Sequence, residues 1–158
     1  MFSFFGETFK NIIMTFFVAM TPVLELRGAI PAGVLAGLDL KLVIPVAIIG
    51  NLVPVPFIII FIRKLFKWMQ EKSDKLGEIV AKFEAKAESK KEQVLKYEFW
   101  GLLVLVAIPL PGTGAWTGAL VAAMLDMQLK RVFPAIAGGV IVAAIIVSIA
   151  TYGVSAIV

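Results

Sequence analysis

Four apolar stretches, roughly 11–38, 42–62, 99–125 and 132–158, dominate this chain, and two of them are broken near the middle. A helix needs about 20 apolar residues to cross a hydrocarbon core of about 30 Å. The stretches 42–62 and 132–158 meet that length. The former carries Pro45, Pro54 and Pro56, so a kinked helix is expected. The other two stretches are different. The first is interrupted at Thr21-Pro22 and again around Arg27-Gly28 and Pro31; the third is interrupted across Pro109-Leu110-Pro111-Gly112-Thr113-Gly114. The helical pieces left over are about 12 residues each, or about 18 Å, which reaches only partway through a bilayer. Both therefore read as re-entrant hairpins. Irregular backbone at that depth is tolerated only where it is buried in protein or lines a wet cavity.

Composition agrees with a membrane setting. Hydrophobic residues make up 60% of the 158-residue chain, charged residues 16%, and mean hydropathy is +0.97. Soluble domains usually carry about 45–50% apolar and about 25% charged residues. The chain has no Cys and no His, which excludes disulfides, thiol catalysis and His-based triads. No nucleophile–base set or metal cluster is visible, so the chain is read as neither an enzyme nor a cofactor protein. The N-terminus lacks a basic n-region and a small-residue cleavage motif, and is not read as a signal peptide. Phe2, Phe4, Phe5 and Phe9 read as aromatic anchors of an interfacial segment.

The net charge of +4 comes mainly from one segment. Residues 63–98 hold ten basic and seven acidic side chains. Apolar residues Leu76, Ile79, Val80, Phe83, Ala87, Val94 and Leu95 fall near helical spacing, and Glu71–Lys75, Glu78–Lys82 and Glu92–Lys96 are favourable i,i+4 pairs. This predicts an amphipathic helix, and its lysine excess places it in the cytoplasm. Membrane topology, not nucleic-acid binding, then accounts for the charge. With two re-entrant hairpins, twelve basic residues lie inside and Lys10 and Lys41 outside. A plain four-span arrangement gives eleven against three, so the broken helices carry the decision.

The halves also correspond weakly. Gly28-Ala29 matches Gly114-Ala115, Asp39 matches Asp126, and Pro45 and Gly50 match Pro134 and Gly139, at spacings of 86 to 89. The expected fold is an all-α integral membrane protein, a single membrane domain over 1–158, made of two inverted repeats. The first repeat, 1–62, is a hairpin at 11–38 and a span at 42–62. The second, 99–158, is a hairpin at 99–125 and a span at 132–158. The cytoplasmic amphipathic helix 63–98 joins them.

Two constellations carry chemistry. In Pro22-Val23-Leu24-Glu25-Leu26-Arg27-Gly28, the ionisable Glu25 and Arg27 sit inside an apolar stretch. Each costs at least about 2.5 kcal/mol at bilayer depth, so such residues are usually paired or line a pathway. In an extended tip, positions i and i+2 share a side. Arg27 would then bind an anionic phosphate in a fork, and Glu25 would act as a protonatable partner. The alternative is a structural ion pair holding the tip together. In the second constellation, Gly112-Thr113-Gly114 opens a helix and exposes backbone N–H groups at its positive end, an anion site to which Thr113 and Thr117 add hydroxyls and Trp116 a wall. The alternative there is close helix packing by small residues. No Walker lysine follows, so nucleotide hydrolysis is not supported. Pro31, Asn51, Pro109 and Pro111 are expected at the cavity or hinge, and Asp39 and Asp126 as helix caps.

These two motifs, Glu25-Leu-Arg27-Gly28-Ala-Ile-Pro31-Ala-Gly33 and Pro109-Leu-Pro111-Gly112-Thr113-Gly114-Ala-Trp116-Thr117-Gly118, resemble those of the putative small multidrug export protein family of bacteria and archaea. That family looks like a distant relative of the DedA (VTT-domain) superfamily. The resemblance implies paired re-entrant hairpins, inverted repeats, and acidic and arginine residues acting at the hairpin tips, roles that Glu25 and Arg27 would fill. DedA proteins proper spread a second arginine and an acidic residue over both hairpins; the second hairpin here offers Gly, Thr and Trp instead. The leading functional expectation is a homodimeric flippase for a phosphate-bearing lipid such as undecaprenyl or polyprenyl phosphate, in the cell membrane of a bacterium or archaeon. Arg27, Gly112, Thr113, Gly114, Trp116 and Thr117 would bind the substrate and Glu25 would couple protons. The rivals are a proton-coupled small multidrug exporter and a membrane-shaping or assembly factor that works through the 63–98 helix.

Overall fold

The computed structural model describes residues 2–110 and 112–157; for residues 2–4, 86–96 and 155 only the backbone is described. All described regular structure is helical. In chain order the helices are α1 (Phe2–Met20), α2 (Glu25–Leu35), α3 (Leu40–Leu52), α4 (Pro54–Lys72), α5 (Asp74–Lys96), α6 (Glu98–Ala107), α7 (Ala115–Met124) and α8 (Leu129–Ile157).

The first hairpin is α1 and α2, and it starts well before residue 11. The aromatic segment expected at the interface is the first half of α1, where Phe5 and Phe9 are exposed; the side chains of Phe2 and Phe4 lie outside the described residues. The hairpin turns once, at Thr21–Leu24, where Thr21 Oγ1 donates to Val18 O at 2.7 Å. The second interruption expected at Arg27-Gly28 and Pro31 does not occur: α2 runs through all three. Gly28 is there because Leu24 folds over it, and a β-carbon would sit 2.8 Å from Leu24 Cβ. Pro31 lies seven residues into α2 and removes a single ladder bond without stopping the helix.

The open end of this hairpin is clipped by Asn11 Nδ2, which donates to Ala36 O at 2.9 Å. Gly37, at φ +84°, then reverses the chain, with Leu38 N–H reaching back to Gly33 O at 3.1 Å and Gly37 N–H to Val34 O. This is the Schellman ending, which needs a left-handed residue. Asp39 accepts from Lys41 N–H at 2.9 Å and caps α3.

The apolar run that follows is longer than 42–62. The helical run extends over Leu40–Lys72, 33 residues, and an 18-residue stretch of it has mean hydropathy 2.4. It steps at Val53, because Pro54 and Pro56 supply no N–H to the ladder while Val53 keeps helical angles. The segment 63–98 is not one helix. Its first ten residues are the end of α4; Ser73 is extended, and α5 folds back on α4. A β-carbon on Gly77 would lie 3.8 Å from Gln70 Cα, and Gln70 Nε2 donates to Glu84 at 3.2 Å.

The second hairpin is α6 and α7, joined by the loop 108–114, of which Pro111 lies outside the described residues. Its exit turn repeats the first one's pattern: Asp126 stands at φ +51° and Met127 N–H reaches back to Ala122 O at 3.0 Å. Asp126 does not cap α8 as expected. It is exposed and pairs with Arg63 Nε at 3.4 Å, while Arg63 Nη2 donates to Met127 O. Gln128, not Asp126, directly precedes α8. At the other foot of this hairpin Glu98 pairs with Arg131 at 3.7 Å. The feet of the second hairpin are thus tied to the end of α4 and the start of α8.

Small residues set the packing. Gly50 on α3 lets α1 approach until a β-carbon would lie 2.6 Å from Phe16 O. Gly139 on α8 does the same for α6, with Leu103 O at 2.7 Å. Close backbone approach of this kind drives helix association where water gives no hydrophobic push. The outer surface is apolar: Ile141, Ile145 and Ile149 form an exposed stripe along α8, and an 18-residue stretch within Leu129–Val154 has mean hydropathy 2.6. A soluble protein would not leave such a face bare.

Candidate functional site

The two helix breaks meet. Each leaves orphan groups: free carbonyls at the end of α6 and of α1, free N–H groups at the start of α7. Away from water such groups need partners. Glu25 and Arg27, two residues apart, supply most of them.

Arg27 reaches the second break from the first turn of α2. Its Nη1 donates to Leu110 O at 2.8 Å and Thr113 O at 2.7 Å. Its Nη2 donates to Ile108 O at 2.8 Å, Val106 O at 3.2 Å and Thr113 Oγ1 at 3.1 Å. One guanidinium gathers the carbonyls that end α6 and begin the loop. A cation is well placed there, because it meets the negative end of the α6 dipole. The Nε N–H is buried and has no partner.

Glu25 does the complementary task. It is 3% exposed, and its Oε1 accepts from Trp116 N–H at 3.1 Å, with the Ala115 N–H beside it. The carboxylate therefore caps α7 and meets the positive end of its dipole. Gly114 is required for this approach. Its φ of +125° suits glycine alone, and a β-carbon would overlap the Glu25 carboxylate. Glu25 itself sits at φ +50°, so both residues at this contact are in left-side backbone regions.

The geometry differs from an extended tip. Glu25 and Arg27 are on the first turn of a helix, and each finds its partners on the other hairpin. The anion seated at the Gly112–Gly114 turn is the chain's own carboxylate, and both amino groups of Arg27 are spent on carbonyls. Trp116 returns the favour: its indole Nε1–H donates to Met20 O at 3.1 Å, at the end of α1. Thr113 Oγ1 lies 2.6 Å from Ile108 O and 2.8 Å from Leu110 O, and Thr117 Oγ1 donates to Gly112 O at 3.0 Å, so both hydroxyls tighten the loop from within.

A groove of about 390 Å³ opens beside this junction, between α2 and α8. Arg27, Pro31 and Pro109 line it at the junction; Val147, Ala150 and Thr151 line the α8 side. Of the expected hinge residues, Pro31 and Pro109 are therefore at the groove. Asn51 is not. It is 1% exposed on the inner face of α3, with Oδ1 lacking a partner. Sequence reasoning missed the α8 wall; Thr151, a hydroxyl within an apolar helix, was the one signal available.

The profile of the putative small multi-drug export protein family matches residues 25–146, most of the chain and all of the junction. The chain belongs to that family. No curated protein and no solved structure matches it. The family's description is one of export, and with the long apolar helices it makes this a membrane transport protein of helical build. Its match starts at Glu25, the residue that caps α7, and includes both members of the crossed contact.

Proposed function

We propose that the chain is a small multi-pass exporter of amphipathic molecules in the cell membrane, built as two inverted repeats whose hairpin tips meet at the Glu25–Arg27 junction. The observation that carries this reading is the apolar groove between α2 and α8, which ends on a guanidinium and two prolines at the helix break. Groove and junction share Arg27, so filling one bears on the other. The export description of the family supports the same reading.

The repeat is supported by a constant spacing of 89 residues. Gly37-Leu38-Asp39-Leu40-Lys41 and Asp126-Met127-Gln128-Leu129-Lys130 are the two exit turns with the same hydrogen bonding. Pro45 and Pro134, and the close-contact Gly50 and Gly139, follow in step. At the same spacing Glu25 corresponds to Gly114 and Arg27 to Trp116. Each of the latter pair donates to carbonyls at the helix end before the opposite break. The lysine-rich end of α4 and the start of α8 lie together at the cytoplasmic side, by the positive-inside rule.

The mechanism follows from the junction. Protonation of Glu25 removes the charge that holds the α7 N-terminus, and release of that end frees the loop that Arg27 grips. The hairpin tips can then part and the helices rock around the groove. A cationic drug would meet a like charge at Arg27, so neutral or anionic amphiphiles are the fitting cargo. A second reading, transfer of a phosphate-bearing lipid such as polyprenyl phosphate, is favoured by the buried, unpartnered Nε of Arg27, a residue that lines an apolar groove.

The test is transport in proteoliposomes, with and without a pH gradient, of a neutral fluorescent amphiphile and of labelled polyprenyl phosphate. Ala150→Trp, which fills the groove, is expected to reduce transport at least tenfold while the protein stays folded. Equal rates in wild type and Ala150→Trp would remove the groove from the mechanism. Indifference of the wild type to the gradient would remove the proton.

A further inference from the structure

The molecule has a second groove, and it repeats the first. It lies between α4 and α7 and has a volume of about 650 Å³. Trp116 and Leu120 line it from α7, at positions that correspond to Arg27 and Pro31 of α2 at the 89-residue spacing. Phe57, Ile58, Phe61 and Ile62 line it from α4, and the same spacing carries them onto Ile146, Val147, Ala150 and Thr151 of α8. Six positions of one groove thus map onto six of the other with no shift in register. Chance placement on an apolar surface would not keep that register.

The polar groups are not repeated. The first groove has its cation, Arg27, at the junction. The second has Trp116 at the junction, and its cation is the exposed Lys64 on α4. Phe57 to Lys64 spans about 10 Å at 1.5 Å per residue. The two grooves lie towards opposite ends of the bundle. Lys64 is next to Arg63, which is tied to Asp126 and Met127 just before α8 begins, whereas the first groove lies along the last third of α8.

We propose that the α4/α7 groove is a second station for the cargo of the α2/α8 groove, and that this cargo is an amphiphile with a single anionic head and a slender apolar tail. The tail lies along Phe57, Phe61 and Leu120 and the head meets Lys64. Passage to the other station moves the head from Lys64 to Arg27. Trp116 and Arg27 each line one groove and, with Glu25, tie the hairpin tips together, so each station touches the junction directly. This inference rests on the export reading but fails separately from it.

The experiment uses the full chain in nanodiscs of zwitterionic lipid and a C12 fatty acid carrying a tail diazirine, with the matching C12 amine as control. Irradiation is expected to label residues 57–62 and 116–120 at least fivefold more with the acid than with the amine, and more than the exposed α1 face around Phe9 and Phe17. Lys64→Glu, an exposed change that leaves the fold intact, should cut the 57–62 labelling about tenfold and leave labelling of 146–154 as it was. Labelling of α4 no greater than of α1, or unchanged in Lys64→Glu, would mean that the groove holds only bulk lipid, and would overturn the proposal. Failure of the Ala150→Trp transport test with α4 labelling intact would instead strike the export reading.

Discussion

The two helix breaks solve the same problem with opposite means. The first, Thr21–Leu24, is short and leads into a helix whose first turn carries both intramembrane charges. The second, 108–114, is longer, uncharged, and carries glycines at φ +80° and +125°. One break supplies side chains and the other supplies backbone. A carboxylate caps a helix start and a guanidinium gathers a helix end, so the interior charges meet helix dipoles as well as each other's field. The contrast teaches why a single hairpin can carry all the charge: its partner needs only exposed peptide groups and room to be approached.

The sharpest way to break this arrangement is at the point of closest approach. Gly114→Ala places a methyl in the Glu25 carboxylate and strains a backbone that only glycine adopts. The backbone alone costs about 1–3 kcal/mol, and the overlap adds to it. The expected outcome is loss of folded protein in detergent, read by thermal unfolding. Gly112→Ala is the control. Its β-carbon meets nothing within 4 Å, so it should cost only the left-handed backbone, about 1–2 kcal/mol.

Arg27→Ala comes next. It strips a donor from four carbonyls, of which Ile108 O and Leu110 O keep the Thr113 hydroxyl; the two left should destabilise by about 2–6 kcal/mol, since each unsatisfied group costs about 1–3 kcal/mol. Arg27→Lys should recover less than half, because an ammonium has three donors and no fork. Denaturant titration of the two variants side by side checks both.

Glu25→Gln keeps an acceptor for Trp116 N–H but loses the charge at the α7 N-terminus. A loss of about 0.5–2 kcal/mol is expected, with faster amide exchange at Trp116. Trp116→Phe is the mildest change. It removes one hydrogen bond to Met20 O and should cost about 0.5–1.5 kcal/mol, visible as faster exchange confined to the turn after α1.

Much of this plan was legible in the sequence. Pro109 to Gly114 marks a break because two closely spaced prolines remove ladder donors and the glycines after them admit left-handed angles. Asp39 announced its cap one residue before Leu40. Where the reading slipped, the reason is local. Pro31 looks like a breaker, yet a proline inside a helix costs one bond and the helix here continues. Asp126 resembles Asp39 in residue type and setting, yet it stands at φ +51° in the exit turn, where the first turn has Gly37, and Gln128 directly precedes α8. Ser73-Asp74 starts a new helix inside a stretch whose periodicity suggested one. The junction itself was half visible. Sequence singled out Glu25, Arg27 and the Gly-Thr-Gly turn as an ion pair or tip on one side and an anion site on the other. That each completes the other is a tertiary fact: carbonyl oxygens of Val106, Ile108 and Leu110 leave no trace in residue type.

The claim at the centre is that Arg27 holds the second break through contacts that include Thr113. A double-mutant cycle in unfolding free energy, with Arg27→Ala, Thr113→Val and the pair, measures this most directly. Contacting residues couple by about 0.5–3 kcal/mol, and the account predicts a coupling of at least about 1 kcal/mol. Strict additivity of the two substitutions would contradict it.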